Sequence, residues 1–309
     1  MACDLLSHKA EFFAFLPLFP LTILFKIWSC LMDRRSLLLG AGAATLAGLA
    51  GTRMARADAL ADAKKRGTLI IGMEAAYVPY ESFQNGKIVG YDCDVATALC
   101  DKIGVKPQFV DTAWAGIIPA LYAGKFDCII SAMTITTARA QKVAFSMPYA
   151  DASNVVLARA DDSSITSAAD LAGKPIGVQL GSAAATVTQA YDATLKTDGK
   201  PGFSDIKQYD HYPEAYQDLA NKRTDGVVNS ISSLMVVMKA APGQFKIVEG
   251  LSTVKAYFGM AFRQDDTALR DLANTTLAGM KADGSLAKLQ DKWFGGTMVT
   301  PNTIPAVLP

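Results

Sequence analysis

The stretch Asp127-Cys-Ile-Ile-Ser-Ala-Met-Thr-Ile-Thr-Thr-Ala-Arg139 decides the fold. Its first part, Asp127-Cys-Ile-Ile130, is a short apolar run of the kind buried on both faces of a sheet, and a helical pattern over Thr137 to Val143 follows it directly. Upstream, Thr68-Leu-Ile-Ile-Gly72 reads as a strand and Gln108-Phe-Val110 is strand-like. Between them Asp92 to Lys102 has helical spacing through Val95, Leu99 and Ile103, with acids in its first turn that favour the helix dipole. Ala115 to Tyr122 is a further helical segment. This alternation predicts a parallel sheet with helices on both faces.

A second unit of the same kind begins near Asn154. Lys174 to Val178, Ile206 to Tyr209 and Gly226 to Asn229 read as strands; Ser182 to Ala190, Glu214 to Asn221 and Ser232 to Lys239 read as helices. The chain then returns through Phe245 to Val248 and Ala256 to Phe262, and ends in helices over Asp266 to Ala282 and Leu286 to Trp293. Two α/β lobes with the chain crossing twice between them is the economical reading. In such sheets ligands bind at the carboxyl ends of strands, where helix N-termini point their N–H groups.

The 309 residues, 50% hydrophobic and 19% charged, allow about two domains and exclude low-complexity disorder. A balance of 30 basic against 29 acidic residues argues against a nucleic-acid-binding surface. Only His8 and His211 are present, so a histidine-rich metal site is impossible, and no metal or cofactor is expected. The N-terminal region reads as an address. Phe12 to Leu31 is apolar but broken by Pro17, Pro20 and Lys26. Next comes an internal Met32, then Arg34-Arg35 with Ser36-Leu37-Leu38, which resembles the twin-arginine export consensus, and an A-x-A cleavage pattern at Ala55-Arg56-Ala57. Residues 1–31 are therefore expected to be a mis-started upstream segment, residues 32–57 a signal peptide, and Asp58 the mature N-terminus of a periplasmic protein. The alternative is a real membrane-anchoring first helix. Residues 1–57 carry six of the basic and three of the acidic residues, leaving 24 and 26 beyond them. Cys93, Cys100 and Cys128 remain in the expected mature chain. Cys93 and Cys100 share a helix face as small buried residues, and a bridge from Cys128 to one of them stays open.

Five stretches in order carry a resemblance. Gly90-Tyr-Asp-Cys-Asp-Val-Ala-Thr-Ala-Leu-Cys100, Asp127 to Arg139, Gly177-Val-Gln-Leu-Gly-Ser182, Phe258-Gly-Met-Ala-Phe-Arg263 and Asp283 to Phe294 together resemble the polar amino-acid-binding proteins of bacterial ABC importers. These are type II periplasmic binding proteins, solute-binding protein family 3, and the likeness spans essentially all of 68–296. Cys93 departs from the pattern, where an aliphatic residue or threonine is usual. The resemblance implies a two-lobed α/β fold, each lobe a mixed sheet flanked by helices. Residues 58–153 and 251–309 would form the first lobe and 154–250 the second, closing about a two-stranded hinge near Tyr149–Asn154 and Glu249–Val254.

The same resemblance assigns a site. Arg139, in the first turn of a helix, would hold a carboxylate bidentately, supported by the hydroxyl and backbone donors of Ser131 and Thr134. Ser182 opens a helix on the opposite lobe and would reach the same carboxylate while also capping its helix. Tyr77 and Trp114 match positions whose rings sandwich the ligand, and Gln179 matches another ligand-facing position. Ser230 stands where amino-acid binders usually place an aspartate against the α-ammonium, so that ionic partner is missing. Glu74 stands where binders of basic amino acids hold the distal cation. With Tyr77 three residues on, the arrangement also resembles ectoine-binding proteins. His211 reads as a structural or surface residue, and Asp161-Asp162 and Asp265-Asp266 as solvated turns.

The implied function is extracytoplasmic capture of a cationic or zwitterionic amino acid or derivative by a monomer, for delivery to ABC permease subunits. Basic amino acids, opines and ectoine-like compounds rank ahead of glutamate or aspartate. Two rivals stand beside it. A cyclohexadienyl dehydratase shares the fold and needs a pocket acid, for which Glu74 is the candidate; turnover of prephenate or arogenate would reveal it. A ligand-presenting partner of a membrane sensor is the other.

Overall fold

The computed structural model describes residues 58–305, so the upstream segment and the signal peptide lie outside the described residues. The first lobe opens with α1 (Ala59–Arg66), β1 (Thr68–Met73), β2 (Ala76–Tyr77), β3 (Glu81–Gln84) and β4 (Lys87–Val89). It continues through α2 (Tyr91–Ile103), β5 (Lys106–Asp111), a 3-10 turn at Trp114–Gly116, α3 (Ile117–Tyr122), β6 (Cys128–Thr134), α4 (Thr137–Ala140), β7 (Ala144–Phe145) and β8 (Ala150–Asp151). The second lobe comprises β9 (Asn154–Arg159), β10 (Pro175–Gln179), α5 (Ala183–Thr197), β11 (Asp205–Tyr209), α6 (Tyr212–Ala220), β12 (Gly226–Ser230), α7 (Ile231–Ala240) and β13 (Phe245–Val248). Then β14 (Tyr257–Phe262), α8 (Thr267–Ala282) and α9 (Ser285–Phe294) return to the first lobe.

The two sheets are built alike. The first runs β5-β1-β6-β14-β7, with β8 also paired to β14; the second runs β11-β10-β12-β9-β13. In each, three parallel strands joined by helices meet an antiparallel returning strand, β14 or β9. The sheets are thus mixed rather than wholly parallel. Every residue of β6 is buried, as expected of a strand covered on both faces that begins with the apolar run Cys128–Ile130. The parallel strands β1, β6, β10 and β12 all end at the crevice between the sheets, which delivers Glu74, Thr134, Gln179 and Ser230 to one place.

The motif at 90–94 packs the first lobe together. Gly90 lies so close to the Tyr80 carbonyl that a Cβ there would sit 2.0 Å from the oxygen, and its φ of 155° is one that L side chains rarely adopt. Tyr91 donates its hydroxyl proton to the Tyr149 carbonyl at 2.9 Å. Asp92 accepts the Ala132 N–H at 2.6 Å, and Asp94 accepts from Trp293 Nε1 and Lys292 Nζ at 2.7 Å each, tying α9 to α2. Cys93 is a buried packing residue whose thiol contacts Met73 Sδ at 3.9 Å.

Cys93, Cys100 and Cys128 are all free and buried, as small packing residues, and the bridge left open is not formed. Two sequence expectations are corrected. Asp266 is not in a solvated turn; it is buried, forms an ion pair with Arg263 (Nε to Oδ2, 2.8 Å), and receives the Ala59 N–H that anchors α1. The helix at 137 is a single turn ending at Ala140, because Ala144–Phe145 already pairs with β14.

Replacing Gly90 by alanine should lower the unfolding free energy by about 2 kcal/mol or more, since backbone rather than a flexible side chain must move. A urea midpoint equal to that of the wild type would contradict this account of the motif.

Candidate functional site

The crevice between the lobes holds a narrow cavity of ≈ 30 Å³. Tyr77, Trp114, Ser131, Thr134 and Phe258 wall it from the first lobe, and Asn154, Ser182, Tyr212, Asn229 and Ser230 from the second. Two of the three helix starts on the second-lobe side are capped by serines. Ser182 accepts the Ala185 N–H at 3.0 Å and Ser230 accepts the Ser233 N–H at 3.4 Å, so α5 and α7 turn their positive dipole ends toward the crevice.

Side chains from the two lobes bond across the seam. Tyr77 donates its hydroxyl to Asn229 Oδ1 at 2.7 Å and stands 3.0 Å from Ser230 Oγ; Tyr80 and Ser232 hydroxyls meet at 2.8 Å. Glu74 is the most committed group. Its Oε2 accepts from Gln179 Nε2 at 2.8 Å and its Oε1 lies 2.5 Å from His211 Nδ1, so the second lobe supplies partners to both carboxylate oxygens. Burial raises its pKa, opposed by the bonds from His211 and Gln179. The bond to Glu74 in turn raises that of His211, against partial desolvation.

Ser131 is buried beneath the cavity and faces inward. Its Oγ accepts the Glu74 N–H at 3.0 Å and donates to Glu81 Oε1 at 2.7 Å, so it positions the loop bearing Glu74 rather than turning toward Arg139. Glu81 and Asp92 are fully buried, and each retains one oxygen without a donor. Their carboxyls interact directly, and one shared proton satisfies both. Asp92, which accepts from Ala132 N–H and the Tyr149 hydroxyl, is the member suited to carry the charge. That network also holds Ala132 at φ 39°, a left-handed conformation that few residues besides glycine adopt, in the middle of β6 where the strand lines the cavity.

Eight of the nine residues expected at the site line this cavity: Glu74, Tyr77, Trp114, Ser131, Thr134, Gln179, Ser182 and Ser230. Arg139 does not. Its guanidinium lies over the Trp114 ring at 5.1 Å, donates to the Thr134 carbonyl at 3.0 Å and to the Gly181 carbonyl at 3.1 Å, and lines an adjoining outer cavity with Met133, Lys142 and Leu180. Burial lowers its pKa to about 10, which leaves it charged at neutral pH. The Thr134 carbonyl, not its hydroxyl, is what Arg139 meets. Tyr77 also stacks on Tyr80 at 5.4 Å and packs against Tyr212 at the same distance.

Sequence reading missed His211, Tyr212, Asn229 and Asn154. His211 is corrected from a structural or surface residue to a direct partner of Glu74. The available signal was topological: it follows β11 and starts α6 at the same sheet edge as Gln179. Among the described residues no cluster of His, Cys, Asp and Glu can hold a metal ion, and no helix is long and apolar enough to cross a membrane.

Residues 69–296 match the family described as bacterial extracellular solute-binding proteins, family 3. The ABC transporter arginine-binding protein 1 of Escherichia coli K12 is 36% identical over 228 residues, which cover 72% of this chain and 89% of that protein. An ancestral arginine-binding protein solved with arginine is 39% identical, with a TM-score of 0.66 over 74% of this chain and 99% of its own. An ancestral amino acid-binding protein, described as a precursor of cyclohexadienyl dehydratase, is 37% identical, with a TM-score of 0.68 over 76% and 99%.

Both Glu81 and Asp92 bind a proton more tightly folded than unfolded, so stability should fall as pH rises from the ordinary carboxylate range toward their raised native values. The slope for one retained proton is about 1.4 kcal/mol per pH unit. Glu81→Gln should flatten that slope, because a glutamine amide donates to Asp92 without needing a proton. Urea unfolding with the same pH dependence in both proteins would refute the shared proton.

Proposed function

The chain belongs to the bacterial extracellular solute-binding proteins of family 3, and we propose that it captures an amino acid or amino-acid derivative and hands it to the permease subunits of an ABC importer. The observation that carries this reading is the seam itself. A buried acid, aromatic walls and two helix N-termini converge there from both lobes, and Arg139 stands beside them over Trp114, in the adjoining outer cavity. A zwitterion fits that set. Its carboxylate is taken by Arg139, which spends two of its five N–H donors on carbonyls, together with the Ser182 end of α5. Its positive centre goes to Glu74, between Tyr77 and Trp114.

The absence of an acid at Ser230 shapes the specificity. A primary α-ammonium would find only the hydroxyl of Ser230 and the amide oxygen of Asn229, so the main ionic contact to a cation is Glu74. A second negative charge on the ligand would meet that carboxylate, which places dicarboxylates last. Arginine is the first candidate, as the relatives named for it suggest, with opines and ectoine-like compounds beside it. The lobes close about the segments near 149–154 and 249–254, and the closed monomer is the form the permease reads, outside the cytoplasmic membrane.

A dehydratase would need Glu74 to give up a proton. The donors of Gln179 and His211 on its two oxygens favour an acceptor instead, which supports binding over turnover.

Calorimetry of L-arginine, ectoine and L-glutamate against the wild type and Arg139→Ala tests this reading. The cationic or zwitterionic compound should bind, and the variant should lose about 1.5–3 kcal/mol, roughly tenfold to 150-fold in Kd. Tight glutamate binding with no response to the others, or an unchanged Kd in Arg139→Ala, would overturn it.

A further inference from the structure

Glu74 and His211 are an unequal pair. The acid side chain is 3% exposed, the imidazole 40%. Gln179, itself buried, holds Glu74 Oε2 and is fixed in turn by a second bond to the Asp210 carbonyl at 3.0 Å. The other oxygen, Oε1, is held only by His211, whose imidazole reaches solvent. One half of the carboxylate is therefore permanently bonded to a neutral donor, and the other half is exchangeable.

We infer that His211 is a specificity-determining residue: a built-in cation that occupies Glu74 Oε1 whenever the ligand offers no distal positive charge, and leaves when the ligand does. This rests on the reading that Glu74 receives the ligand's positive centre. A neutral-side-chain ligand leaves the buried acid paired, so the site tolerates it, whereas a ligand with a distal cation must displace an imidazolium. The exchange balances: the ligand cation enters, His211 returns to solvent, and its proton is released wherever the pH exceeds the ordinary imidazole value.

The surroundings keep the exchange local. Asp210 and Glu214 flank His211 on its own segment, while Asp111 influences Glu74 from the end of β5. Glu81 and Tyr77 face Glu74 from the first lobe, and Tyr212 from the second. None of these groups is a cation, so His211 is the titrating positive charge directly opposite Glu74. The sign follows. Between an ordinary imidazole pKa near 6.5 and the raised value in the pair, the protein without a distal cation holds a proton that the cation-bound protein does not. Affinity for such a ligand must rise with pH across that window, by up to about tenfold per unit. Affinity for a ligand with a neutral side chain must stay flat.

The test uses the full chain with L-arginine and L-glutamine, which share a backbone and differ in distal charge. His211→Gln assigns the imidazole resonance by NMR, since His8 is the only other histidine. Three results are expected. The His211 pKa lies above the ordinary value in the wild type and falls to it in Glu74→Gln. Saturating L-arginine produces the same fall, and calorimetry in buffers of different ionisation enthalpy registers a released proton near pH 7. L-Glutamine does neither, and in His211→Gln the arginine Kd loses its pH dependence.

A His211 pKa that is ordinary in the wild type, or that neither Glu74→Gln nor L-arginine moves, overturns the inference. Failures of the two readings separate cleanly. If Glu74→Gln weakens arginine while His211→Gln leaves its pH profile unchanged, His211 is not the competitor and the Glu74 assignment survives. If Glu74→Gln leaves arginine binding untouched, both fall together.

Discussion

A carboxylate buried at the junction of two lobes, with both oxygens satisfied from the far side, is the constraint on which this molecule depends. Glu74 projects from the end of β1, yet its partners Gln179 and His211 belong to the other sheet. Separating the lobes strips those bonds from a buried acid. An unpartnered buried charge costs several kcal/mol, so an open form must let water reach Glu74 and a closed form must give it a donor. The acid thereby couples what occupies the crevice to whether the crevice is shut.

The rest of the first lobe exists to place that acid. Ser131 accepts the Glu74 N–H and donates its hydroxyl hydrogen bond to Glu81, and Glu81 shares a proton with Asp92. Asp92 holds the N–H of Ala132 in its left-handed bend. A line of buried polar groups thus runs from α2 through β6 to the cavity, and each member has a partner only while the others stay in register. On the second lobe the matching device is simpler: Ser182 and Ser230 cap two helices whose first turns face the same space.

Much of this was legible from the residues. The apolar runs at 68–72 and 127–130 mark central strands, and helical spacing between strands gives the crossovers. The family resemblance names Glu74, Thr134, Gln179 and Ser230, and the structure sets all four at the ends of strands. What stayed hidden was direction. A sequence places Ser131 at the site but not the turn of its hydroxyl toward Glu81; it places Arg139 beside the site but not its rest position over Trp114. His211 escaped because one histidine between two tyrosines carries no period or spacing, and only the pairing of β10 with β11 sets it beside Gln179. Asp266 escaped for a related reason: its partner Ala59 lies 207 residues away.

The central claim is that ligand and Glu74 together hold the lobes shut, and an interlobe distance measures it most directly. Spin labels on cysteines introduced at Gln84 and Lys200, both exposed and on opposite lobes, avoid the buried native thiols. The account predicts a broad distance distribution that narrows and shifts when saturating ligand is added to the wild type, and stays broad in Glu74→Ala under the same conditions. A distribution that ligand leaves unchanged in the wild type, or that narrows equally in Glu74→Ala, would contradict it.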